Sequence, residues 1–257
     1  MKYNLFKIFF LFFFLKLNCV YSDEIIFKSE NIKISNNGNI VEAVDVEADL
    51  KDKEIIISGK NSIYEKQIKK LTIKKNVKID DISKNIFLIG DNVIYDLNID
   101  RIRSVGKTYI NVYKKYEITS KNLIYDREKN IILSNNETTI RDNKGNVLNL
   151  EERFKLNLNN EIISSNKINV IDNNNNRFEF GDAKINLKNN EIVGREIKID
   201  FVDDFFGNPK NDPLLKGKSA ISNDNETKIF KTVFSTCNTE NKSCPGWEIE
   251  TEEFTHD

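Results

Sequence analysis

Three short stretches decide the fold: Asn61-Ser62-Ile63-Tyr64-Glu65, Asn92-Val93-Ile94-Tyr95-Asp96 and Asn122-Leu123-Ile124-Tyr125-Asp126. Their tyrosines lie 31 and 30 residues apart, and each motif leads into a polar turn and another apolar segment. After the third motif the turn is Arg127-Glu128-Lys129-Asn130 and the segment is Ile131-Ile132-Leu133-Ser134. The pattern continues more faintly at Phe154-Lys155-Leu156 and Lys184-Ile185-Asn186-Leu187. Units that cannot bury an apolar face alone stack into a shared core. The period therefore predicts an elongated sheet built from repeats of about 30 residues.

Within each repeat the period is two. Leu71/Ile73, Val77/Ile79, Ile110/Val112, Leu156/Leu158, Ile168/Val170, Phe178/Phe180, Ile185/Leu187 and Ile197/Ile199 alternate with polar residues, as half-buried strands do. Between them lie Asn36-Asn37-Gly38-Asn39, Asp142 to Asn146, Asn159-Asn160, Asn173 to Asn176 and Asn189-Asn190. Asparagine tolerates positive φ and bonds its own backbone, so these clusters mark reversals. Strands of roughly 5–8 residues are expected, and turns this short favour antiparallel hairpins over crossovers. Tyr64, Tyr95 and Tyr125 suit either a binding ladder or equivalent positions packed in one layer. The repeat favours the layer, with the neighbouring carboxylates facing solvent.

Composition excludes several kinds of chemistry. The 257 residues hold 39 basic and 40 acidic side chains, one His and three Pro. A single imidazole is too few for a His-based zinc site. Near-neutral charge lacks the basic footprint of non-specific nucleic-acid binding, so no nucleic-acid partner is expected. Residues 1–22 read as a secretory signal peptide: Lys2 and Lys7, the apolar run Ile8–Leu15, then Val20-Tyr21-Ser22. That run is well short of the ~20 residues that span a bilayer. Asn18 before Cys19 argues against a lipoprotein. Cleavage after Ser22 removes three lysines and no acid, moving the formal charge from −1 to −4. Export into an oxidising compartment allows disulfides, and only Cys237 and Cys244 would remain to form one.

No nucleophile elbow or phosphate-binding loop appears. The adjacent acids Asp80-Asp81, Asp203-Asp204 and Glu252-Glu253 would point to opposite faces of a strand, so none is a convergent acid–base pair. They read as solvated charges, and the expectation is a protein that is not an enzyme, with no cofactor and no metal. After Phe201 the rhythm changes, with Pro209 and Pro213 marking an irregular connection. Cys237 and Cys244 suit a local bridge across a short loop or separate distant partners; metal binding by two thiols is a weak third option.

The C-terminal segment resembles the family of the lipopolysaccharide-assembly outer-membrane protein LptD, especially its alphaproteobacterial members. The matching pieces are Asn208-Pro209, Asp212-Pro213-Leu214-Leu215-Lys216-Gly217, Phe234 to Cys237, Cys244-Pro245-Gly246-Trp247-Glu248-Ile249 and His256-Asp257. Together with the signal and the strand repeats, which look like the OstA-like domain, the resemblance covers essentially the mature chain. It implies an all-β fold, an elongated antiparallel β-jellyroll with an open groove over residues 23–201. Residues 202–257 would be a junction with the Cys pair, leading to an outer-membrane barrel that this sequence lacks. On that expectation the chain is a fragment, a split product or an isolated N-terminal part.

The implied function is non-enzymatic transport of lipopolysaccharide in the periplasm, lipid A acyl chains lying in the groove on their way to a barrel. Val93, Tyr95, Leu156, Leu158, Ile168, Val170, Ile185 and Leu187 are the candidates for the groove face; ordinary core is the alternative for any one of them. Implied partners are the bridge protein LptA, by pairing of edge strands, and the plug lipoprotein LptE only where a barrel is present. In the family the N-terminal cysteines are oxidised to cysteines beyond the barrel. With those absent, Cys237 and Cys244 would form a local bridge or stay as two thiols. Rival readings are a soluble LptA- or LptC-like bridge protein and a secreted β-solenoid surface or adhesion protein.

Overall fold

Residues 25–171, 176–200, 214–223, 225–235 and 247–256 are described in a computed structural model of the chain. Alternation of apolar and polar side chains makes most of them strand. In chain order these are β1 (Ile25–Lys28), β2 (Asn31–Ser35), β3 (Ile40–Leu50), β4 (Ile55–Glu65), β5 (Lys70–Asp81), β6 (Ile86–Asp96) and β7 (Arg101–Val112). Shorter strands follow: β8 (Tyr116–Lys121), β9 (Ile124–Asp126), β10 (Ile131–Ser134), β11 (Thr138–Asp142), β12 (Val147–Leu150) and β13 (Phe154–Asn157). The last six are β14 (Ile162–Ile171), β15 (Arg177–Asn186), β16 (Glu191–Asp200), β17 (Leu214–Ser222), β18 (Thr227–Ser235) and β19 (Ile249–His256). The only helical turn among the described residues is Lys51–Lys53.

All the strands join one antiparallel sheet. Each strand from β3 to β7 pairs with the next, as does each from β14 to β19. Between these blocks the rows are split. β8 and β9 share the flank of β7, β11 and β10 follow, and β12 and β13 share the flank of β14. The two tracks close a ring: β7, β8, β11, β12, β14, β13, β10, β9. This is an all-β, jellyroll-like antiparallel roll, the expected fold class. The sheet also runs on past residue 201, since β17–β19 add three rows from the stretch read as a junction.

The strands are longer than the sequence led us to expect. β3 to β7 have 11 or 12 residues, and β14 to β16 have 10. The reason is a bend in the middle. Asp45, Lys75, Asn76, Gly106, Lys167, Glu196 and Lys231 all take positive φ inside long strands, and the register slips beside several of them. An extra residue there shifts which face the next side chain occupies. One long strand therefore carries two short alternating patterns.

Bending every row at the same place folds the sheet back on itself. A line of inward residues beside the bend shows how: Ser62, Ile73, Val93 and Ser104 lie opposite one another in successive strands, and so do Ser134, Phe154, Ser165, Ala183 and Gly194. Small residues recur because the two layers converge there. A Cβ on Gly194 would collide with the Phe180 ring. Bulges also interrupt the ladder, and buried hydroxyls take up the freed groups. Ser134 Oγ donates to the Lys121 carbonyl at 2.8 Å and Ser165 Oγ to that of Arg153 at 3.2 Å. Ser104 and Thr108 bond at 2.6 Å, and Ser120 and Thr138 at 2.7 Å. No described buried side-chain N or O lacks a partner. Each such bond contributes about 0.5–1.5 kcal/mol net.

Away from the bend the two layers pack one apolar core. Tyr64, Tyr95 and Tyr125 are buried in it, in equivalent places of successive repeats. The carboxylates beside them do not all face solvent as expected. Asp126 is buried against Arg101, Nη2 to Oδ2 at 2.7 Å, and caps its turn by accepting from Lys129 N. At the sheet's margins β1, β2 and β19 each pair on one side only among the described residues. Ile34 on β2 is 63% exposed although it lies opposite buried Val41.

Candidate functional site

The free edges of the folded sheet form two lips made of turns. One carries the turns after β3, β5, β7 and β11; the other carries those after β4, β6, β9, β13 and β15. Along each lip neighbouring turns are stitched by backbone bonds, among them Leu97 N to Lys69 O, Arg127 N to Asp100 O, Leu158 N to Asn130 O and Leu187 N to Glu161 O. Lys69, Asp100, Asn130, Glu161 and Asn190 close these turns at positive φ, which explains the 30-residue rhythm.

Where the lips meet, side chains tie them. Arg127 lies at the centre. Its Nε donates to Asp81 Oδ2 at 2.6 Å, its Nη1 to Asp100 Oδ2 at 2.8 Å, and its Nη2 to the Lys53 carbonyl at 3.1 Å and to Ser83 Oγ at 3.2 Å. Lys53 Nζ adds an ion pair to Asp100 at 3.4 Å. Tyr125 donates to Asp81 Oδ2 at 2.7 Å, and Tyr95 donates to Asp100. Lys84 reaches Asn130 across the same gap. Further along, Tyr113 donates to the Leu158 carbonyl at 3.1 Å and Tyr116 to that of Leu187 at 3.0 Å.

This cluster corrects the reading of Asp81. Asp80 is exposed, but Asp81 is 0% exposed and ion-paired with Arg127, itself 5% exposed. The adjacent acids do point to opposite faces, and the inward one is a structural charge rather than a solvated one.

Burial pushes the Asp100 carboxyl up, but the Tyr95 hydrogen bond and the charges of Arg127 and Lys53 outweigh it and hold the group below its usual range. Asp126 is likewise lifted by burial and lowered further by its bonds from Lys129 N and Arg101. Burial first, then the adjacent carboxylates, push the Tyr95 and Tyr125 phenols well above their ordinary value. A depressed carboxylate contributes stability that is present above its unfolded pKa and lost as pH falls through the folded one. A raised phenol contributes stability lost as pH rises beyond its unfolded value. Urea midpoints should therefore hold between about pH 4 and pH 10 and drop on either side. A midpoint unchanged well below pH 4 would rule out the acid limb.

At the far end, beside the Tyr116–Leu187 bond, the charged ties stop and a space opens. A cavity of about 430 Å³ lies between the turn Asp142–Val147 and the turns after β15 and β17. Leu148, Val170, Phe178, Phe180, Ile185, Leu187, Ile192 and Ile197 line it, and Asp142, Lys144, Asn146, Asn190 and Asn223 surround its mouth. The volume falls within the ~300–1,000 Å³ of ordinary ligand pockets.

Of the groove candidates, Val170, Ile185 and Leu187 line this cavity, whereas Val93, Leu156, Leu158 and Ile168 lie in the packed core. Tyr95 sits under the Arg127 cluster. Phe178 and Phe180 alternate visibly in the sequence, but nothing in one strand says that its face borders a cavity. Cys237 and Cys244 lie outside the described residues, as do residues 1–22, read from the sequence as a signal peptide. The ends of the segment that holds both cysteines are close: Ser235 Oγ donates to the Trp247 carbonyl at 3.2 Å, and the Phe234 and Trp247 rings are 6.0 Å apart. Glu252 and Glu253 are exposed, while Asp203 and Asp204 are not among the described residues.

Fold and site together define an antiparallel roll with an apolar cavity, tied shut at one end and open at the other. No family model matches the chain, and no curated protein matches it significantly.

Proposed function

We propose that the chain is a non-enzymatic lipid conduit, the periplasmic jellyroll of an LptD-like system for moving lipopolysaccharide to the outer membrane. The observation that carries this reading is the cavity: apolar walls enclosing about 430 Å³ under a rim that holds Asn146, Asn190, Asn223, Asp142 and Lys144. Each methylene sheltered there gains about 0.8 kcal/mol over water, while the sugar and phosphate head stays at the rim. The single-partner strands β2 and β19 suit strand addition by LptA-like rolls. An LptE-like plug has a role only with a barrel. Two such margins on one chain equally suit an LptA- or LptC-like bridge, the second reading.

The test is photocrosslinking. A diazirine amino acid at Phe178 or Leu187 should capture lipopolysaccharide, and one at outward Lys155 should not. Capture from Lys155 alone would sink the proposal.

A further inference from the structure

Four ties between the lips share one offset. Lys53 meets Asp100, Asp81 meets Arg127, Lys84 meets Asn130 and Tyr113 meets Leu158, 45 to 47 residues on, whereas Tyr116 reaches Leu187, 71 residues on. By the same offset the Asp142–Val147 turn faces the turn after β15, which Tyr116 holds through the Leu187 carbonyl, and beyond that bond the cavity takes the place of a charged tie. The apolar interior nevertheless continues from Ile185 at the cavity to Ile102 and Leu71 beneath the Arg127 cluster, in a single cluster of buried side chains.

Resting on the lipid reading above, we propose that the Arg127 cluster is a latch. An alkyl chain enters at the mouth between Asn146 and Asn190, and reaches the half of the interior under β4–β7 only when Arg127 releases Asp81. Three features carry this. The charges alternate across the gap, Lys53 and Asp81 on one lip facing Asp100 and Arg127 on the other, so parting the lips breaks the Lys53–Asp100 and Arg127–Asp81 pairs together and leaves Arg127 on Asp100. A buried ion pair seldom stabilises more than apolar residues of the same volume, so a closure that only needed strength would be served by the leucines and isoleucines beneath it. The opposite side of the fold is the line of bulges, where small residues and hydroxyls alternate with Ile73, Val93 and Phe154, and it would serve as the axis of opening.

The experiment uses an alkyl maltoside with a diazirine in its tail as probe, with labelled residues mapped by mass spectrometry. In the unaltered chain the label should fall on Phe178, Ile185 or Leu187 and spare Leu71 and Ile102. In Asp81→Asn/Arg127→Gln, which keeps hydrogen bonding but removes the charges, labelling of Leu71 and Ile102 should rise about tenfold. Adding Lys84→Cys/Asn130→Cys to that variant and bridging the two thiols with a short bis-methanethiosulfonate should restore the original pattern, and reduction of the bridge should lose it again. Equal labelling of both halves in the unaltered chain overturns the latch and leaves the conduit standing. So does a relaxed variant labelled only at the mouth, or a spread that the cross-link fails to reverse. Absence of label from every variant removes the conduit reading and the latch with it.

Discussion

Unfolding the Arg127→Met variant is expected to take about 3–5 kcal/mol less free energy than unfolding the unaltered chain. The loss comes less from the missing guanidinium than from what it leaves behind. Asp81 is wholly buried, and its remaining donors are neutral: Tyr125 OH, Ser83 Oγ and Lys84 N. Asp100 keeps Lys53 and Tyr95 and lies nearer solvent, so it suffers less. Replacing both partners, Asp81→Leu with Arg127→Met, should recover most of the loss, because no charge is then stranded. Urea denaturation of the three chains measures this. A single variant costing under about 1 kcal/mol would mean that water reaches Asp81.

The second large effect is expected at Phe154, where truncation to alanine should cost about 3–5 kcal/mol. Phe154 is fully buried on the inward line beside the bend, directly opposite Ser134 on one flank and Ser165 on the other. Neighbours that small cannot close over the space an aromatic ring vacates, so a cavity persists. A cost below about 1.5 kcal/mol would show that this part of the interior is loosely filled and lies nearer to an open groove than to a core.

These two residues also show where the sequence was readable and where it was not. Phe154 was visible as part of a fading repeat, because packing in successive rows leaves a local period of two and a longer one of 30. Ile185 and Leu187 were legible as inward residues for the same reason. Arg127 was not, since Arg127-Glu128-Lys129-Asn130 has the composition of any solvated turn. Its partner Asp81 is 46 residues away and belongs to the other lip. Nothing local signals a contact made by folding a sheet over. The mid-strand bends were hidden differently. Lysine, glutamate and aspartate occupy positive φ at Lys167, Lys231, Glu196 and Asp45, where no glycine or asparagine at positive φ marks the bulge. The strands consequently read as pairs of short ones.

The charged ties between the lips limit how this architecture can change in length. In a simple repeat array each unit meets only its neighbours, and a unit gained or lost in the middle is absorbed. Here a hairpin inserted between β5 and β9 would slide Asp81 past Arg127 and Lys84 past Asn130. The stretch that spans the ties is thus committed to one count of rows. Rows after β16 have no described tie across the lips, and lineages or designers could lengthen or trim the roll there without disturbing its closure.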